Sequence, residues 1–132
     1  MSWDVSFFAS DTAPLPVEQM SDDWRGGSLG TTEQVRCKIS GALPGVDWSD
    51  PTWGVLDKGS CSLEFSIGRD EPCDGFMVHA RGDSGVVQML RNLAERTGWF
   101  ALDIAAGEWF HHMDSVGRGW ASFEKYRDQV LK

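Results

Sequence analysis

Ser60-Cys61-Ser62-Leu63-Glu64-Phe65-Ser66-Ile67, followed after a polar connection by Phe76-Met77-Val78-His79-Ala80-Arg81, decides the fold. In the first run Cys61, Leu63, Phe65 and Ile67 fall on one side, and Ser60, Ser62, Glu64 and Ser66 on the other. In the second, Phe76, Val78 and Ala80 alternate with Met77, His79 and Arg81. A period of two over this length is the pattern of a sheet with one buried and one wet face. The connection between the runs, with Pro72 and Asp74-Gly75, reads as a turn, so the two strands form a hairpin.

Working outward, Trp3, Val5 and Phe7 alternate with Asp4, Ser6 and Phe8 and predict a first strand. Residues 10–30 then form a loop rich in Pro, Asp and Gly, long for a compact domain and of the kind that is usually functional. Thr31 with Gln34 three residues on is a capping-box signature. Val35, Ile39, Ala42 and Leu43 follow at helical spacing until Pro44-Gly45. Residues 46–54 read as a turn-rich approach to a short strand at about 53–56, and Asp57-Lys58-Gly59 as a tight reversal. Beyond Arg81, Gly82-Asp83-Ser84-Gly85 offers a cap for a helix carrying Val86, Val87, Leu90, Leu93 and Ala94, with Gly98 at its αL position. A strand over residues 99–105, with Phe100, Leu102 and Ile104 inward, is followed by a loop over 107–117 and a last helix at about 119–131.

The predicted order is β-α-β-β-β-α-β-α. It implies an α+β, two-layer sandwich: a mainly antiparallel sheet with helices on one face, loosely ferredoxin-like. At 132 residues the chain is expected to be a single domain over 1–132, burying roughly two-thirds of its unfolded surface. Seven Trp and seven Phe supply ample core material without a disulfide or metal. Cys37, Cys61 and Cys73 contain no CxxC pair, and one is left over in any disulfide scheme. The formal net charge of −8 argues against nucleic acid and against an anionic membrane; it is compatible with a basic protein partner, and on charge alone it reads first as what keeps a small domain soluble. No secretory or membrane-spanning run is legible, so a cytoplasmic location is expected.

The outward residues of the strands at 60–68, 75–81 and 99–105 define the candidate site: Glu64, His79, Arg81, Trp99 and Asp103, with Ser62, Ser66 and Met77, joined by Asp4 and Ser6 of the first strand. A His between carboxylates suits general base catalysis and an Arg beside them suits an anion clamp. The same set also suits a wet sheet face laced with cross-strand charge pairs. Trp24 in the long loop and Trp99 on the face, each near carboxylates, fit the aromatic anchors of a protein contact surface. Trp3, Trp48, Trp53 and Trp109 sit at strand or loop junctions and read as seals at the edge of a core.

Other motifs carry less. His111-His112 with Glu108 and Asp114 lacks metal-ligand spacing, and no cofactor or metal is expected. Arg81-Gly82-Asp83 reads as a strand end and a helix cap. The glycine-rich stretch from Trp24 to Gly30 lacks the Lys-Ser/Thr ending of a phosphate loop, and no nucleophile elbow is present.

Four phrases together resemble a group of short, stand-alone, uncharacterised bacterial proteins: Trp3-Asp4-Val5, Asp47-Trp48-Ser49-Asp50-Pro51-Thr52-Trp53-Gly54, Ser62-Leu63-Glu64-Phe65-Ser66-Ile67-Gly68 and Val78-His79-Ala80-Arg81-Gly82. The resemblance extends to about Asp103 and implies a bacterial, free-standing domain. It transfers no catalytic residue.

The expectation is therefore a non-enzymatic acidic binding protein, an immunity-type protein neutralising a toxin through Trp24, Glu64, His79, Arg81, Trp99 and Asp103. The alternatives are a small hydrolase or isomerase using His79 with Glu64 or Asp103, and a small-ligand sensor or adaptor. The sensor requires an apolar pocket between the sheet and the 10–30 loop.

Overall fold

The structure, a computed structural model, describes residues 2–113 and residue 120. Its elements are β1 (Trp3–Phe8), α1 (Thr32–Ala42), β2 (Asp47–Asp50), β3 (Trp53–Asp57), β4 (Cys61–Ser66), β5 (Phe76–Gly82), α2 (Gly85–Thr97), β6 (Phe100–Asp103) and β7 (Glu108–Trp109). Single 3-10 turns occur at Val17–Gln19 and Phe110–His112. Among the described residues the strands form one seven-stranded antiparallel sheet in the order β2-β3-β4-β5-β1-β6-β7. The fold is α+β, and the meander β2 to β5 makes its likeness to a ferredoxin loose.

The hairpin read from residues 60–81 pairs Leu63 with Ala80, Glu64 with His79 and Phe65 with Val78. Opposed residues share a face, so Leu63, Phe65, Val78 and Ala80 all turn inward and are buried. Trp3, Val5 and Phe7 join them from β1, and the Phe7 and Phe76 rings stack with centroids 5.1 Å apart. Helix α1 closes this layer with Val35, Ile39 and Ala42, and α2 with Val86, Leu90 and Leu93. Each of these buried Val, Leu and Ile side chains contributes about 1.5–3 kcal/mol by area.

Local chemistry sets the ends of the helices. The Thr31–Gln34 capping box is complete: Thr31 Oγ1 accepts from Gln34 N and Gln34 Oε1 from Thr31 N. The Glu71 carboxylate also accepts from Thr32 N and Thr32 Oγ1, placing a negative charge at the helix start. These bonds hold the Glu71 carboxyl below its ordinary range, with Arg36 adding to the effect. At α2 the expected cap falls to Asp83, whose Oδ1 accepts from Gly85 N at 2.8 Å, while Ser84 makes no side-chain cap bond. Gly98 ends α2 in the left-handed conformation, φ 76°.

Three readings are corrected. Residues 47–50, expected as turn, form β2, an edge strand whose Asp47 and Asp50 side chains bond back to Ser49 and Thr52. Residues 108–109, expected as loop, form β7. The phase of β6 is inverted: Ala101 and Asp103 are buried, Phe100 and Leu102 face the other way, and Ile104 is exposed. Register explains the inversion, because Val5 opposes Asp103 and Phe7 opposes Ala101. Asp103 is the turn residue of the β6–β7 hairpin: its Oδ1 accepts from Ala106 N at 3.1 Å and its carbonyl from Gly107 N at 2.9 Å. The predicted last helix lies outside the described residues apart from Trp120, which packs edge-on to Trp3 in the core.

Candidate functional site

Among the described residues no helix covers the second face of the sheet, but the face is not uniformly open. Along β1 the outward residues are Asp4, Ser6 and Phe8, and Phe8 is the apolar one. At that end the 10–30 loop folds over the strands. Trp24 meets Phe8 and Trp109 edge-on, with centroids 5.5 and 5.7 Å away, and Phe8 meets Trp109 at 5.7 Å. The Trp109 indole donates to Met20 Sδ at 3.4 Å. His111 and His112 both donate Nε2–H to the Pro14 carbonyl oxygen, at 3.0 and 2.7 Å. A small second core thus ties the loop to β7. It also explains the phase of β6, since Phe100 has cover on this side, its ring 5.0 Å from that of His111, while Leu102 is partly covered.

The remainder of the face is half-exposed. Register sets Asp4, His79, Glu64 and Val55 side by side across four strands. His79 donates Nδ1–H to Asp4 Oδ1 at 2.8 Å, and Ser2 Oγ donates to the same oxygen. Trp53 reaches across from β3 and stacks on the His79 ring at 5.7 Å and 22°. Arg81 donates Nη1–H to Glu64 Oε1. Around this grid lie Trp53, Met77 and Leu102, partly exposed, with Val55 38 % and Ile104 47 % exposed. Chemically, the Asp4 bond orients the imidazole, with Nδ1 toward the carboxylate and Nε2 away from it. Glu64–Arg81 is a surface ion pair worth about 0–1 kcal/mol, and Asp4–His79 is a surface hydrogen bond that becomes an ion pair only when the ring is protonated.

Of the six predicted contact residues, Glu64, His79 and Arg81 share the open face. Trp24 is half-buried at its loop-covered end. Trp99 and Asp103, expected on the same face, are buried on the helix side, and neither belongs to the site. Trp99 is 6 % exposed, edge-on to Phe76 at 5.5 Å with Lys38 Nζ 5.7 Å from its ring, and Asp103 is 0 % exposed. Asp103 therefore cannot serve His79 as an acid–base partner; Asp4 stands beside it instead. Trp53, read as a core seal, was missed as part of the site. Its signal was present, since a strand alternating from Trp53 to Val55 to Asp57 puts all three on one face.

A cavity of about 510 Å³ opens between the sheet and the 10–30 loop, lined among others by Ser6, Phe8, Trp24, Arg25, Asp74 and Met77. It adjoins the charged grid through Ser6 and Met77, which flank Asp4 and His79 along their strands. Away from this face, burial and the Asp83 carboxylate push the Cys61 thiol up, its Sγ donating to Asp83 Oδ1 at 2.8 Å. The same bond, with those from Ser60 and Gly85 N, draws Asp83 down to about 2. Burial also raises the Cys73 thiol. Among the described residues no three His, Cys, Asp or Glu side chains are placed to hold a metal ion, and no helix is long and apolar enough to cross a membrane. Compared with protein-family models, curated proteins and solved structures, the chain has no significant match.

Proposed function

We propose that this chain is a non-enzymatic binding protein of the immunity type, which neutralises a basic toxin by covering it with the open sheet face. The observation that supports this reading is the composition of that face. A grid of paired charges (Asp4–His79 and Glu64–Arg81) is ringed by solvent-accessible Trp53, Val55, Met77, Leu102 and Ile104. Contact surfaces combine aromatic, Met and Arg side chains in this way. A net charge of −8 would accelerate encounter with a basic partner, while the apolar side chains would slow release.

The test is capture of partner from a bacterial lysate by tagged chain at low and moderate salt, with an Asp4→Lys/Glu64→Lys variant in parallel. One basic, stoichiometric partner, weakened by salt, lost with the variant and inhibited in its toxicity by the wild-type chain is the expected result. A partner held equally by both chains rules out the face, and the absence of any basic partner rules out the reading.

A second reading, a small hydrolase or isomerase, is favoured by the 2.8 Å contact that orients His79 against Asp4. Turnover of an ester or amide panel that disappears in His79→Ala would support it. Turnover that persists in the variant would remove it.

A further inference from the structure

The cavity beside the charged grid has a more specific chemistry than the face as a whole. Its walls are the rings of Phe8 and Trp24 and the Met77 side chain, and its floor includes Ser6, whose hydroxyl lies 3.4 Å from Met77 Sδ. Two glycines keep the backbones close around Phe8. A Cβ at Gly75 would stand 3.1 Å from the Phe8 ring, and one at Gly26 3.2 Å. The hollow is therefore walled by aromatic and thioether groups.

Its lining includes one carboxylate. Asp74 lines it, and its carboxylate makes no hydrogen bond or ion pair among the described residues. Asp22 and Asp23 are exposed immediately before Trp24, and Asp4 lies two residues along β1 from Ser6. Among the described residues that line it, one is a cation, Arg25. Its Nη1 is turned onto the loop's own carbonyls, Trp24 O at 2.8 Å and Asp22 O at 3.4 Å, where it braces the loop. Aromatic walls beneath an unpaired carboxylate match an alkyl stem ending in a positive charge. The stem covers Phe8 and Met77, and the charge meets the Trp24 ring and Asp74. A cation over a Trp face is attracted by the ring quadrupole, and the carboxylate adds a charge-assisted hydrogen bond.

We propose that this cavity is the anchor site of the interface: it takes an arginine side chain presented by the basic protein partner. The inference rests on the reading of the open face as a protein-binding surface and specifies which side chain of the partner that face selects. Guanidinium suits the site better than ammonium, because its plane stacks on indole while its edge donates to a carboxylate.

The experiment uses the full chain, labelled with ¹⁵N, and four probes: the N-acetyl methylamides of arginine, lysine, norleucine and glutamate. The Trp24 indole N–H resonance, assigned with Trp24→Phe, is the readout. The arginine probe is expected to shift it saturably, with norleucine weaker by about tenfold, the equivalent of about 1.4 kcal/mol. Asp74→Asn, an exposed change that leaves the core intact, should erase the difference. Norleucine binding as well as arginine, or a Trp24 resonance unmoved by every probe, overturns the proposal. A captured partner separates this failure from failure of the face. Binding lost with Asp4→Lys/Glu64→Lys but undiminished by Asp74→Asn sinks the anchor site alone; binding retained by both sinks the face with it.

Discussion

Gly54→Ala puts the packing argument at risk most directly. Gly54 lies in the middle of β3, where a glycine normally weakens a strand, and it is buried opposite Phe65. The Trp48 indole from β2 lies against its backbone: a Cβ built on Gly54 would stand 2.6, 2.7 and 2.9 Å from Trp48 Cζ3, Cη2 and Cε3. To restore ordinary contact the ring must retreat by about 0.8 Å. The ring is held by Ser40 Oγ, which accepts from its Nε1 at 2.9 Å, and by Phe65, with centroids 6.2 Å apart. Losing that hydrogen bond costs about 1 kcal/mol, and forcing an extra methyl into a filled site costs about 1–3 kcal/mol. The lower backbone entropy of alanine returns about 0.5–1 kcal/mol. The net is a destabilisation of about 1–3.5 kcal/mol. Urea unfolding followed by far-UV circular dichroism measures it without relying on tryptophan emission. Gly41→Ala is the control, because Gly41 is exposed in α1 with nothing within 4 Å of a built Cβ. It should stabilise by about 0.5–1 kcal/mol. Two substitutions of identical chemistry must therefore move in opposite directions; if Gly54→Ala lies within about 0.5 kcal/mol of wild type, the close approach does not govern this strand.

Three further outcomes follow from the same geometry. Asp83 is drawn from an ordinary value near 3.8 to about 2, so its contribution to stability is fully present above pH about 4 and is lost as the pH falls through about 2. Asp83→Asn should therefore be less stable than wild type near neutrality and converge with it near pH 2, and a gap in urea midpoint that stays constant with pH contradicts this. Ellman's reagent should titrate exposed Cys37 quickly in the native chain and reach Cys61 and Cys73, whose thiols are buried, only on unfolding; three equally fast thiols refute that placement. Trp109→Ala removes the centre of the second core at a cost of about 3–5 kcal/mol and should speed tryptic cleavage at Arg25, whereas unchanged cleavage would mean the loop is held by other contacts.

Legibility of the sequence differed between the two faces for a physical reason. Leu63, Phe65, Val78 and Ala80 alternate cleanly because β4 and β5 have one covered and one wet face, the condition under which a period of two reports burial. The Thr31–Gln34 box and Gly98 were equally legible, since each is a local solution to a helix end. Strand β6 defeated the same rule. Phe100 and Leu102 are apolar, yet they point away from the helices, because the 10–30 loop and the His111 region cover that end of the other face. The inward position instead holds Asp103, kept there by the turn it forms. Phe8 was the available clue: an apolar residue in the outward phase of β1 already implied cover on the far side. For β2, Asp47 and Asp50 look like turn formers and do bond like them, to Ser49 and Thr52, while the backbone still pairs with β3. The burial of Trp99 follows from its contact with Phe76, a long-range packing that no spacing in the chain reveals.

The correction at β6 changes how the open face can bind. With Trp99 and Asp103 assigned to the core, the aromatic anchors that remain are Trp53 and Trp24, on β3 and beside β1. Three strand spacings separate those positions, about 14 Å, a span that one partner segment can bridge. Between them both carboxylates already have a partner, Asp4 in His79 and Glu64 in Arg81. A partner cation that competes for Asp4 or Glu64 must displace an internal partner, and the gain is the small difference between two similar pairs. The grid therefore contributes to encounter rate and register more than to affinity. Asp74, which lines the cavity, differs: among the described residues its carboxylate has no partner for a new cation to displace. If the face binds as proposed, added salt should slow association of wild type, while Asp74→Asn should mainly hasten dissociation, a division that surface plasmon resonance with the captured partner resolves. Asp74→Asn acting on association alone would make the carboxylate a steering charge and remove the cavity from the binding energy.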